Sequence, residues 1–321
     1  MRNRTLIVLG LALSAALAGA LVAAPAKSKS KDKEPAKLGV CGDLGTRPVF
    51  PLDNPWNQDI SKSPVDPASD TLVASIGADT TLHPDFGKSY GIAYVVVPGD
   101  QPRVPVSFTY AGESDPGPYP VPPDAPIEGG PDSKGDRHIL LVDRDHWILY
   151  ELYKCFTPDG GKSWKAGAGA IFDLSSNKLR PAGWTSADAA GLAILPGLER
   201  ADEVLGSHEV THAVRFTCRH SRRAYVPPAT HQAATTKDPN APPMGMRVRL
   251  KAGFDTRAFP ASAQVILEGL KKYGMILADN GSDWYITGTL DPRWNDQELN
   301  TLKKVKGRDF EVVKMEGIVG K

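Results

Sequence analysis

Cysteine is scarce in this chain: Cys41, Cys155 and Cys218 are the only three in 321 residues, so at most one disulfide can form within it. Basic charge is also in short supply. Residues 1–37 carry seven of the 38 Lys and Arg but only two of the 37 Asp and Glu, leaving 31 basic against 35 acidic residues, a net −4, beyond them. That balance lacks the footprint of a nucleic-acid binder. After Leu6–Leu21 no apolar run is long enough to span a bilayer. There is no internal repeat, and the G-x-S-x-G elbow of many serine hydrolases is absent.

What is present begins with an export pattern. Arg2 and Arg4 precede the Leu6–Leu21 run, and Ala18-Gly19-Ala20 and Val22-Ala23-Ala24 offer small-residue cleavage patterns. The expected organisation is a signal peptide over 1–24, a disordered Lys-, Ser- and Pro-rich spacer over 25–45, and one globular domain over 46–321. The expected location is secreted or periplasmic, with no membrane attachment once the signal is cleaved; an uncleaved anchor is the alternative. Export permits a disulfide. Cys155 and Cys218 each end a strand-like run and are the expected pair, against the alternative of three unpaired buried thiols.

Short apolar runs bounded by turn residues dominate the rest. Gly91–Val97, Val104–Tyr110, Ala168–Leu174, Thr211–Cys218, Met246–Lys251, Met275–Ala278 and Trp284–Thr287 read as strands. Helices are expected after Asp66-Pro67, after Pro260 with Ala263, Ile266, Leu267 and Leu270 on one face, and after a cap at Asp296. Ten prolines between Pro98 and Pro131 exclude central strands there, apart from Val104–Tyr110, and suit an extended surface strap or a binding wall. The fold class is mostly β (α+β): an antiparallel, sandwich-like domain with a few peripheral helices. The densest strand-forming run, GDRHILLVDRDHWILYELYKC (135–155), reads as a hairpin that brings His138, Asp143 and Glu151 into the core.

Several blocks have a shared look: DNPWNQDI (53–60), LHPDFG (82–87), ESDPGPYPVPPDAPIEGG (113–130), GDRHILLVDRDHWILYELY (135–153), RPAGWTSADAAGLAILPGLERADEV (180–204), PPMGMRVRLKA (242–252) and LKKYGMILADNGSDWYITG (270–288). Together they resemble a family of secreted bacterial proteins with no established activity. The resemblance implies secretion and a single domain, and it implies no catalytic residues. An Asn in that family at the position of His146 favours a three-residue hairpin loop, Arg144-Asp145-His146. That register puts Asp143 and Glu151 on one face and His138 on the other. A two-residue loop would instead set His138 opposite Glu151.

Candidate sites follow from residue chemistry. Buried carboxylates on strands suit general acid–base work, so Glu151 and Asp143, with His138, His212, Ser186 and Asp188, form the candidate catalytic set. Ser186 as a nucleophile with His212 as base competes with Ser186 as a helix cap and Asp188 in the first turn. Trp184 and Trp284 suit sugar stacking, and Arg247 and Arg249, with Lys251, form a basic stripe suited to anions; their alternatives are packing and a solvated strand face. His208-Glu209-Val210-Thr211-His212 matches H-E-x-x-H, which on a helix would bind zinc through His208 and His212. Here β-branched residues and Gly206 argue for strand entry, and Arg215 and Cys218 break the extended motif. The leading expectation is a carbohydrate-active hydrolase or lyase that needs no cofactor and acts on a polysaccharide or envelope glycan. The alternatives are a non-catalytic glycan-binding or envelope-associated module and a zinc-dependent hydrolase.

Overall fold

Two mixed sheets and the side chains between them make up the centre of the computed structural model, which describes residues 35–45 and 47–320. The expected signal peptide and the first part of the spacer lie outside the described residues. The first sheet runs β1 (Gly39–Val40), β3 (Tyr94–Val97), β5 (Ile139–Asp143), β6 (Ile148–Tyr153), β8 (Ala168–Asp173), with β3 and β5 parallel and the other neighbours antiparallel. The second runs β15 (Phe310–Val312), β12 (Arg247–Leu250), β13 (Met275–Asn280), β9 (Val214–Cys218), β14 (Tyr285–Thr287), β2 (His83–Asp85), parallel at β13–β9 and β14–β2. β4 (Val106–Phe108) pairs with β7 (Trp164–Ala166), and β10 (Arg222–Tyr225) with β11 (Pro243–Met244). The fold is β-rich, sandwich-like and accompanied by few helices. β13 and β14, joined by one short turn, do not form a hairpin; β9 lies between them.

Alternation on the strands divides the core in two. Tyr94, Val96, Leu140, Val142 and Leu149 of the first sheet share a large buried cluster with Val214, Phe216, Met275, Leu277 and Ile286 of the second. The opposite face of the first sheet, with Val95, Val97, Ile139, Leu141 and Leu152, is covered by Tyr119 and Val121 from the proline-rich stretch and by Trp164 and Ala166. The prolines therefore build a cover, because residues with no amide hydrogen can cross a sheet face without needing a ladder. In α1 (Ser69–Ile76) Leu72, Val73 and Ile76 are buried, and in α2 (Ala261–Lys272) Ala263, Ile266, Leu267 and Leu270 are. Gly274 ends the α2 region at φ +69, and a side chain there would collide with the Val248 carbonyl. α3 (Asp296–Asn300) is capped by Asn295, whose side chain accepts from the Gln297 and Glu298 amides; Asp296 is its first residue, not its cap.

Three other expectations are corrected. Residues 36–44 belong to the domain, with Gly39 and Val40 paired to β3 and Leu44 buried. Cys155 and Cys218 are both buried free thiols, not a disulfide: Cys155 packs on the outer face of the first sheet and Cys218 between the sheets. The 135–155 hairpin has neither anticipated loop. Asp143 pairs with Ile148 and Leu140 with Glu151, so four residues, Arg144–Trp147, make the turn. The Asp143 carboxylate explains the longer loop. It accepts from the Asp145 and His146 amides at 3.2 and 3.0 Å and from His146 Nδ1 at 2.8 Å, and Trp147 closes the turn at φ +57. His138 and Glu151 consequently share the inter-sheet face, and Asp143 lies on the other.

Candidate active site

Charged side chains enter the sandwich in the GWTSADAAGL segment and on β9. Arg215 of β9 makes a two-pronged pair with Asp188, Nε to Oδ2 at 2.9 Å and Nη2 to Oδ1 at 2.8 Å, and donates from Nη1 to Thr287 Oγ1 at 2.6 Å. Both partners are buried, so the bonds offset the cost of taking two charges out of water. Asp279 lies close enough to feel both. Burial first, and repulsion from Asp188 second, raise its pKa to about 7 against the pull of Arg215. Ser186 sits within this frame as a turn residue. Its hydroxyl accepts from the Asp188 amide at 2.9 Å and donates to the Leu192 carbonyl, so it braces a turn; no helix starts here, which corrects the helix-cap expectation for Ser186 and Asp188.

Next to this frame, Glu128 arrives from the proline-rich stretch just before Gly129 and Gly130, whose φ values of +71 and +86 make the turn. Its backbone amide donates to the His138 carbonyl at 3.0 Å, and its Oε2 lies 2.6 Å from His138 Nδ1. His138 Nε2 lies 3.1 Å from the Ala187 carbonyl. Both ring nitrogens thus face oxygens, and with Glu128 ionised both must donate, which makes the ring an imidazolium. Burial alone would lower the His138 pKa, but the Glu128 hydrogen bond and charge overcome it and raise it to about 9. In return the imidazolium, working against burial, holds the Glu128 carboxyl below its ordinary range.

Glu128 opens onto a cleft of about 970 Å³, together with Asp85, Thr287, Tyr90 and Trp164. Asp85 is open to solvent in area yet sits against the concave wall. Desolvation by that wall, opposed by His83 and reinforced by repulsion from Glu128, raises its pKa above the ordinary value. One cleft therefore presents a carboxyl biased toward its acid form and another biased toward its anion. In glycan chemistry that division separates a proton donor from a standing negative charge.

The other candidate residues go elsewhere. Glu151 is fully buried, and its oxygens accept from the Ile194 and Leu195 amides at 2.9 Å, at the start of a short 3₁₀ turn. It belongs to the frame and does not line the cleft. Asp143, on the far face, is committed to its own turn. His212 bonds the Ala213 carbonyl at 2.8 Å and Glu203 at 2.9 Å, within a buried group that includes Arg200 and Glu199. The H-E-x-x-H segment is not a helix: His208 stands at φ +56 just after a π-helical turn, Asp202–Ser207, so the spacing does not bring the two imidazoles onto one helix face. Trp284 is fully buried, stacked between Phe216 and Phe310 with ring centroids 5.7 and 5.2 Å away, which corrects its assignment to substrate. Trp184 is half-buried beside Arg180. The basic stripe is also corrected. Arg247 donates to the carbonyls of Tyr273, Pro55 and Gln58, and Arg249 pairs with Glu311 and the Ile60 carbonyl, so both tie the 55–60 segment down.

Of the candidate set only His138 reaches the cleft, through Glu128. Neither residue type nor spacing marks Asp85 and Glu128 in the sequence. Their one sequence signal is membership of the HPDFG and IEGG blocks.

The position of Glu151 predicts how stability varies with pH. Burial, opposed by the two amides, pushes its pKa up to about 7 from an ordinary 4.5. A carboxyl raised in the folded state contributes stability that is present below its unfolded pKa and lost as pH rises through the folded one. Between pH 4.5 and 8 this loss amounts to about 3 kcal/mol at 1.36 kcal/mol per unit. Glu151→Gln, neutral throughout, should flatten the urea-unfolding stability curve by that amount over the same range. An unchanged slope would show that Glu151 does not titrate there.

No family model, curated protein or solved structure matches the chain. Function is therefore read from the cleft itself.

Proposed function

We propose that the protein is an exported glycan hydrolase whose working pair is Asp85 and Glu128. The observation that carries the reading is the opposed displacement of two carboxyl pKa values in one cleft. Asp85 in its acid form donates a proton to the glycosidic oxygen as that bond breaks. Glu128, kept ionised by His138, faces the positive charge that develops on the sugar ring, and water completes the hydrolysis. Tyr90, exposed at the cleft, supplies an aromatic surface on which sugar rings commonly stack. This moves the carboxylate chemistry expected of the central strands from Glu151 and Asp143 to a loop and an edge strand.

The test is product release. Purified protein incubated with a panel of neutral, amine-bearing and acidic polysaccharides should liberate reducing ends or short oligosaccharides from at least one. Retained binding with no product from any member of the panel would replace this reading with the non-catalytic glycan-binding one.

A further inference from the structure

Beside the cleft lies a second concavity of about 280 Å³, which shares Pro131 and Ser133 with it. Three basic side chains line this space, Lys134, Arg137 and Lys154, against one carboxylate, Asp132. Arg137 is the unusual member. It is 4% exposed, yet no carboxylate lies within ion-pair distance of it among the described residues. Backbone carbonyls hold its guanidinium instead: Nε donates to Cys155 at 2.8 Å, and Nη1 to Pro131 and Ser133 at 2.7 and 3.0 Å. The Phe156 ring covers one face, with the guanidinium carbon 4.3 Å from its centroid. Nη2 donates to nothing among the described residues, and it is not sealed from solvent. Buried charges are normally paired. An open, unpartnered donor on a buried cation therefore points to an anionic ligand, independently of the two lysines around it.

The free donor also selects the shape of the anion. A carboxylate pairs best with Arg through two adjacent nitrogens at once. Nε and Nη1 already have their acceptors, so Arg137 offers one nitrogen, and Lys134 and Lys154 add point charges. Separate single contacts suit a tetrahedral oxyanion, whose oxygens diverge. The cleft itself is lined by the carboxylates Asp85, Asp124, Glu128 and Asp136, so an anion is disfavoured there and favoured one step away. We infer that the Arg137 concavity is a subsite for a sulfate or phosphate ester, carried by the sugar next to the one in the cleft. The inference rests on the hydrolase reading for the fate of that glycan, but oxyanion binding can be measured without it.

The full protein, isotope-labelled, is titrated with sodium sulfate at fixed ionic strength while arginine side-chain N–H signals are followed by NMR. The Arg137 signals should shift saturably. Lys134→Ala and Lys154→Ala together should weaken sulfate about tenfold, the size of a charge-assisted contact. Arg137→Lys, which keeps the charge and lacks the open Nη2, should weaken it as much. Arg137 also braces the 131–133 turn, so the lysine pair carries the test if that variant does not fold. Glucose 6-sulfate and glucose 6-phosphate should compete with sulfate, the tighter of the two naming the ester. Glucuronate should compete about tenfold less well, because the two-nitrogen contact is not open to it. Unshifted Arg137 signals, unchanged binding in the lysine variant, or glucuronate matching both esters would overturn the inference. The link to turnover is read by comparing one glycan backbone with and without its ester groups. Product should be released faster from the esterified form, and the lysine variant should lose that preference. Equal or slower release from the esterified form would make this an adventitious ion only and leave the hydrolase reading standing. Ester binding with no product from any glycan would sustain the subsite and remove the hydrolase reading.

Discussion

Asp85→Asn should lower the turnover of an unactivated glycan by about 10²–10⁴-fold, the range for loss of a positioned general acid, with little change in KM. The substituted amide cannot give a proton to the leaving oxygen, and the cleft offers no basic side chain to take over that role. Two further readouts separate an acid from a merely structural residue. A substrate with a good leaving group needs little protonation, so the defect should shrink sharply on an aryl glycoside. The pH profile should change on one side only. In the proposed mechanism Glu128 is ionised and Asp85 protonated, so the acid-side limb is assigned to Glu128, displaced downward, and the alkaline-side limb to Asp85, displaced upward. Asp85→Asn should remove the alkaline limb, and Glu128→Gln should abolish activity at every pH. A uniform defect on both substrates with both limbs intact would show that Asp85 is not the acid.

The second large effect is on stability. Arg215→Met should destabilise the fold by about 3–5 kcal/mol, the usual consequence of stranding one partner of a buried ion pair. That is a large part of a typical total of about 5–15 kcal/mol. Asp188, with a fully buried side chain, would lose both guanidinium bonds, and Thr287 would lose its donor. The sign with pH follows. Asp279, already raised to about 7, is held down in part by Arg215, and without that charge its carboxyl is relieved by taking up a proton, so the damage is small in acid and grows as pH rises. Urea unfolding at pH 5 and pH 8 should therefore show the variant recovering in acid relative to the parent protein. Replacing Arg215 and Asp188 together by Met and Leu should cost less than Arg215→Met alone, because no charge is then left stranded. A cost for the single variant below about 1 kcal/mol would indicate that water reaches Asp188.

Glu151 and Glu128 show where sequence reasoning succeeds and where it stops. Residue order was enough to locate the strands around Glu151, since alternation and turn residues act over a few positions, and it was enough to place that carboxylate in the core. The use of the carboxylate depended on register. Register turned on a local contest at Asp143, whose side chain draws two backbone amides and a histidine into a four-residue loop and so sends His138 and Glu151 to one face. Buried polar residues on strands also read alike whether they work or brace. Arg247, Arg249 and Ser186 brace, a distinction set by carbonyls and amides that residue type alone does not reveal.

Short-range periodicity and composition alone were enough for the β-rich class, the two main helical stripes and the burial of the central hairpin. Only the tertiary structure decided that β9 separates β13 from β14, that the prolines cover a sheet, that the cysteines lie in different cores, and that Asp85 and Glu128 meet across one cleft. The physical reason is the same in each case. The partners lie far apart in the chain, and their pairing is selected by the joint packing of two sheets, a constraint that no local window of residues contains.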